Sequence, residues 1–310
     1  MTLEGRYSTP VWELAKDQDV AVPRALRGMY AEWFMEDLTK GQFAYDAAEV
    51  RLDALDRNAA YSFLQSFVED ETPYGRYRLD RDIWHLVRSV IRNLYSEGEC
   101  VAEVYMGTAD TKSEEAVPHP KLTLLPSWSL RTRRGRTWQR TADGAWKDIS
   151  QATLVTMRLP KTEARAIKDA RKHLAIVDGH HGLRTRFLDH RIPGYDMSVH
   201  ERTVNELSAR ATSGVGWDGR RLFVERASDS YRIYRELRFR RLWLTIVDTV
   251  LAGLTEACAL SGAPDAPTGI HIDGIPTLAD IDAATQAVLA GSEPLDDIRY
   301  RVLSPRWGPN

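Results

Sequence analysis

Only two cysteines occur among the 310 residues, Cys100 and Cys258, each set in an apolar pattern and far from the other in sequence. That excludes a disulfide framework or a cysteine-built zinc knuckle and reads as two buried thiols. A phosphate-cradling glycine loop is also missing: GYDMSVHE and TSGVGWDGRR have neither the strand-turn-helix setting nor the lysine of a P-loop. There is no G-x-S-x-G nucleophile elbow. Asp280 and Asp282 fit the first turn of a helix, and Glu69, Asp70 and Glu71 fit a solvated loop, so no carboxylate pair signals acid-base work. The expectation is a protein that is not an enzyme and needs no cofactor. Long apolar runs are scarce as well. The longest, Leu242 to Leu254, is interrupted by Asp248 and is too short for a bilayer, and MTLEGRYSTPVWELAKDQDV lacks the basic start and apolar run of a secretory signal. A folded, soluble, cytoplasmic chain with no membrane partner is expected.

What is present is a 43% hydrophobic composition, enough to bury a sizeable core in one large domain or two ordinary ones, and an uneven charge. The net −2 resolves into −9 over residues 1–120, +13 over 121–241 and −6 over 242–310. A basic middle between acidic flanks suits a self-assembling chain, whose positive belt meets its neighbour's negative surface, and it suits polyanion binding equally well.

Hydrophobic periodicity divides the chain into four stretches and predicts a mainly helical α+β fold. Residues 1–97 form an N-terminal helical region, with PVWELAKD, ALRGMYAEWFMEDLTKG and AYSFLQSFVED read as loosely joined helices over residues 10–70. RDIWHLVRSVIRNLYSEG follows as a stronger helix, its apolar face made by Ile83, Leu86, Val87, Val90, Ile91 and Leu94, with Gly98 as its stop. Over residues 98–160 the period falls to two, and CVAEVYMG, KLTLLPSWSL, RTWQRTADGAWKDI and TLVTMRLP read as four short strands, with Asp143-Gly144 as a hairpin signal. Residues 161–230 turn helical and basic: TEARAIKDARKHLAIVDG, then SVHERTVNELSARATSG with Ser198 as N-cap and Gly214 as its close, then a β-like WDGRRLFVER. Residues 231–310 hold a long helix, a short strand GIHIDG and a last helix, PTLADIDAATQAVLAG, entered through Pro276 and Thr277.

Three clusters carry candidate chemistry. His173, His180, His181, His190 and His200 fall in one short span, but helical metal pairs stand three or four apart, whereas His180 and His181 are adjacent. They read as a loop pair of structural or surface histidines, so no metal site is assigned. Arg131, Arg133, Arg134, Arg136 and Arg140 occupy a hairpin loop near Trp128 and Trp138, a composition suited to phosphate contact and stacking, or to a solvated loop. In YRIYRELRFRRLWLTIVDTVLAGLTEACAL, the first part is cationic and the rest apolar. Arg235, Arg238 and Arg241 share one side of the helix as a stripe that suits either phosphate or an acidic neighbour. Leu237, Leu244, Leu251 and Cys258 recur every seven residues, with Val247 and Leu254 completing a seam for the core or for a subunit contact.

The order of these segments resembles the tailed-phage portal proteins, especially the Mu-like portal group, in a short form. The likeness lies in RNLYSEGECVAEVYM, where Gly98, Ala102, Glu103 and Val104 match a G-x-x-x-A-E-V pattern, in Leu124, Leu125 and Pro126, in the strand from Leu154 to Pro160, and in the closing helix, strand and helix. It spans roughly residues 75–300, while Lys161 to Gly214 matches no motif of the group, and the shorter chain is expected to lack a crown or extended tail. The resemblance implies a ring, commonly of about twelve subunits, at one capsid vertex. Double-stranded DNA passes through it, and its partners are other copies of itself, the terminase, the capsid and head-tail connector proteins. It implies a place in the virion, and in the host cytoplasm during assembly. Two other readings stand beside it: a nucleic-acid-binding module using the arginine loop and helix, and, more remotely, a metal-dependent hydrolase built on the histidines.

Overall fold

The computed structural model describes residues 28–40, 48–71, 79–107, 118–141, 144–188, 197–217 and 228–303. They make a mainly helical α+β fold with small antiparallel sheets. By contact they group as two compact units. One is drawn from Ala47–Leu159 and Ile246–Asp273, the other from Val22–Asp46, Pro160–Thr245 and Gly274–Asn310.

In the first unit, α2 (Arg57–Phe67) and α3 (Leu79–Glu97) lead into the β region. Helix α3 buries Ile83, Leu86, Val87, Val90, Ile91 and Leu94, the face that the 3.6-residue period defines. It stops at Gly98, whose φ of +81° lets its amide bond back to the Leu94 carbonyl. Next come β2 (Glu99–Gly107), β3 (His119–Leu125), β4 (Leu130–Arg133), β5 (Arg136–Arg140), β6 (Trp146–Ile149) and β7 (Leu154–Arg158). These are six strands where the sequence pattern indicated four, because KLTLLPSWSL breaks at Pro126 into two strands and RTWQRTADGAWKDI folds back on itself. They form two sheets, ordered β3-β2-β7 and β4-β5-β6. Strand β2 is central and buried from Cys100 through Tyr105, which accounts for its nearly continuous apolar run. A cluster of Val101, Leu125 and Ile149, with Leu130 and Leu154 against it, ties the two sheets together.

A third, two-stranded sheet corrects the helical reading of residues 10–70. Glu49–Asp53 is strand β1, paired antiparallel with β8 (Gly269–Asp273), so that Leu52 faces Ile270. The Val50 amide donates to Asp80 at 3.1 Å. The PVWELAKD segment lies outside the described residues, and so do residues 218–226 of the WDGRRLFVER piece.

The second unit is built on α1 (Met29–Thr39), α4 (Lys161–Leu188) and α5 (Met197–Ala211). Ser198 lies inside α5 and does not cap it, and the chain turns through Thr212 to Gly216 before α6 (Asp229–Ser261). Helix α6 belongs to the second unit as far as Thr245 and to the first from Ile246. The apolar run that the sequence marks as too short for a bilayer thus lies in a 33-residue helix that is long and apolar enough to cross one by length and composition. Just over half of its most apolar window (56%) is buried inside the protein. Every residue from Leu242 to Val247 is buried, as in a core helix enclosed on all sides. Gly253 marks a close approach, since a Cβ there would lie 2.5 Å from the Met157 side chain of β7. The chain closes with α7 (Leu278–Ala290) and the short α8 (Leu295–Ile298). Thr277 is the N-cap of α7 in a reciprocal capping box with Asp280, and Gly291 ends it in the left-handed conformation.

Candidate functional site: the arginine hairpin and the arginine helix

The arginines from 131 to 140 do not form a loop. Arg131 and Arg133 lie on β4, Arg136 and Arg140 on β5, and the strands are joined by a two-residue turn at Arg134 and Gly135, with φ of 51° and 73°. Two successive left-handed residues are the geometry that matches the twist of a tight hairpin. Arginine at the first of them costs roughly 1 kcal/mol against glycine. The register is Leu130↔Gln139, Arg131↔Trp138, Thr132↔Thr137 and Arg133↔Arg136, continued on β6 by Thr137↔Ile149, Trp138↔Asp148 and Arg140↔Trp146. Because side chains alternate, paired residues share a face. Thr137, Gln139 and Ile149 lie on the buried face. Arg131, Arg133, Arg136, Trp138, Arg140, Trp146 and Asp148 lie on the other.

That outward face is cationic and aromatic. Arg136 donates to Asp148 at 2.6 Å and stands 5.9 Å from the Trp138 ring centre. Among the described residues, Arg131, Arg133, Arg134 and Arg140 have no ion-pair partner, and all are exposed. Trp146 is 49% exposed, and Trp128, just before β4, is 37% exposed.

The helix arginines behave differently, although the sequence groups them with the hairpin. Arg235 is only 7% exposed. Its guanidinium donates to the Ala209 carbonyl and the Thr212 hydroxyl, each at 3.0 Å, and to the Trp217 carbonyl. Arg238 donates to the Gly214 carbonyl at 2.8 Å. Both clasp the turn that follows α5. Gly216 permits the clasp: its φ is +80°, and a Cβ there would lie 2.2 Å from the Arg235 carbonyl oxygen. Arg241 reaches Asp282 and Glu163, each at 2.8 Å, and these hydrogen bonds, to Asp282 first and Glu163 second, raise its pKa. Of the two partners that the stripe suits, this arginine has found acidic ones within its own chain.

The seam residues Leu237, Leu244, Val247, Leu251 and Leu254 are all buried in the single chain, Leu251 being the most exposed at 7%. Cys258 is buried beside them, and burial pushes its thiol up to about 12; burial likewise pushes the Cys100 thiol up. The thiols are inert at neutral pH.

His180 and His181 fall within α4 and are not the loop pair that their spacing suggests. Their side chains, that of His200, and all of His190 lie outside the described residues. His173 is exposed, with Nδ1 2.7 Å from the Asp169 carbonyl oxygen. Among the described residues no group of three or more His, Cys, Asp or Glu side chains could hold a metal ion. Asp178, one of the carboxylates near the histidines, instead accepts the Tyr30 amide at 2.8 Å and the Ala31 amide at 3.4 Å at the start of α1. Sequence reasoning missed it because a cap supplied from far along the chain has no local signature.

No protein-family model matches the sequence, and no curated protein matches it. In three dimensions the chain is similar to a solved chain from the neck of a native gene transfer agent particle, computed with C12 symmetry. The TM-score is 0.54 at 12% sequence identity, over 96% of this chain and 94% of that one, so the two share a fold along nearly their whole lengths.

Proposed function

We propose that this chain is the subunit of a portal-like ring at the neck of a phage or phage-like particle, through which double-stranded DNA is packaged and later ejected. The observation that carries the reading is the near end-to-end likeness of fold to a neck chain solved with twelvefold symmetry. The portal-like segment order, from Gly98, Ala102, Glu103 and Val104 to the closing helices, supports it independently, and with it the Mu-like assignment. In this reading the protein does no covalent chemistry. About twelve copies pack side by side through heterologous contacts that close, with the terminase, the capsid and head-tail connector proteins as further partners. The subunit would lie in the host cytoplasm during assembly and in the virion afterwards.

Burial supports a division of roles within this scheme. Leu237, Leu244, Val247, Leu251 and Leu254 are already covered in the single chain, so they hold the subunit together, and ring contacts fall to exposed residues. The experiment is mass measurement of the full chain by light scattering or native mass spectrometry, alone and with its terminase and capsid protein, followed by negative-stain imaging. Annular particles of about 420 kDa, twelve times 35.2 kDa, are expected. A species that stays at 35.2 kDa even beside those partners would overturn the proposal.

A further inference from the structure

We propose that the outward face of the β4-β5-β6 sheet is a binding site for a nucleic acid strand with unpaired bases. Arg131, Arg133, Arg136 and Arg140 hold its phosphates, and Trp138 and Trp146 stack on its bases. The proposal does not rest on the ring reading, and its test does not depend on the ring.

The register puts these side chains on one face of a small sheet whose other face carries buried Thr137, Gln139 and Ile149. Along β5, the alternation of Arg136, Trp138 and Arg140 repeats a cation, a ring and a cation about 6.8 Å apart, two residues of strand rise each. Across the strands, Trp138 stands opposite Arg131, and Trp146 opposite Arg140. A guanidinium lies next to each ring, as a chain that alternates phosphate with base requires.

Arg133 faces Arg136 directly, a like-charge pair that disfavours the hairpin unless an anion sits between them. Among the described residues of the three strands, Asp148 is the one carboxylate on the face, and it is already paired with Arg136. Arg134 adds a further exposed cation at a turn position that glycine or asparagine would fill at lower cost. An acidic protein surface would neutralise the guanidinium groups but leave the rings without partners, and a duplex keeps its bases stacked inside. The two rings on the face, Trp146 exposed and Trp138 half-buried, therefore select the single strand.

The test is fluorescence anisotropy of the full chain with labelled oligothymidylate of about 20 nucleotides, the matching duplex, and polyglutamate of similar charge as competitor, at about 50 and 200 mM salt. The single strand should bind more tightly than the duplex, lose affinity as salt rises, and quench tryptophan fluorescence. Replacing Arg131 and Arg133 together by alanine, or by glutamine should the alanine variant fold poorly, should flatten the salt slope by about 1.4, roughly 0.7 per released phosphate contact. Trp138→Ala should weaken single-strand binding by roughly 5- to 150-fold, the range for a lost base stack, and leave duplex binding unchanged. The inference is overturned by any of three results: no oligothymidylate binding at low salt, an unchanged slope in both arginine variants, or equal losses for strand and duplex on removing Trp138. Displacement by polyglutamate at equal charge would also overturn it, assigning the face to an acidic protein.

Discussion

Gly216 and Gly98 offer a paired experiment, because their backbones share nearly the same left-handed φ, +80° and +81°, in different surroundings. Alanine at either position suffers the same conformational penalty, roughly 1–2 kcal/mol. At Gly98 nothing lies within 4 Å of an added Cβ, so that penalty is the whole effect. At Gly216 the Cβ would meet the Arg235 carbonyl oxygen at 2.2 Å and the Phe239 amide nitrogen at 2.8 Å, both backbone atoms of a helix that cannot yield. The turn must retreat by about 0.8 Å to reach 3.0 Å, a separation below which Cβ contacts are essentially never found. Such a shift takes the bond from Arg235 to Thr212, now 3.0 Å, past hydrogen-bonding range and loosens the one to Trp217. Each charge-assisted bond is worth roughly 1.5–3 kcal/mol. Gly216→Ala should therefore cost roughly 1.5–3 kcal/mol more than Gly98→Ala, about ten- to a hundredfold in the local opening equilibrium. Urea unfolding gives the total, and hydrogen exchange at the Val215 amide, which bonds to the Thr212 carbonyl, reports the turn itself. Equal costs for the two variants, or unchanged exchange at Val215, would refute the claim that close approach and the arginine clasp depend on each other.

Two further outcomes follow from the same structure. Leu254→Ala, at a fully buried position of α6, should cost about 2–5 kcal/mol in urea unfolding. The Asp280 carboxyl is held below its ordinary 3.8 by hydrogen bonds from Thr277, backbone first and side chain second. Its folded pKa is depressed, so the stability it adds is full above 3.8 and is lost as pH falls through the lower folded value. Thr277→Ala should remove roughly 1 kcal/mol at neutral pH. It should also flatten that acid-side loss in a pH series of thermal unfolding, and an unaltered acid limb would show that the capping box does not set it.

Much of this protein is local and was therefore legible in its sequence. The face of α3, the stop at Gly98 and the start of α7 after Pro276 and Thr277 each follow from residues within a turn or two of one another. Strand β1 was not legible: EVRLD buries only Leu52, and its partner β8 lies more than 200 residues further on. The arginines make the same point about function. By composition, Arg131 and Arg235 are equivalent members of two basic clusters. Strand register turns Arg131 outward beside tryptophan, while the Ala209 and Trp217 carbonyls and the Thr212 hydroxyl draw Arg235 into the interior. Sequence by itself determined the main helices, the β character of residues 98–160 and where charge collects, since those depend on neighbours along the chain. Which charges remain available to a partner was decided only by tertiary structure, because a guanidinium is removed from the surface by acceptors that folding brings to it from elsewhere.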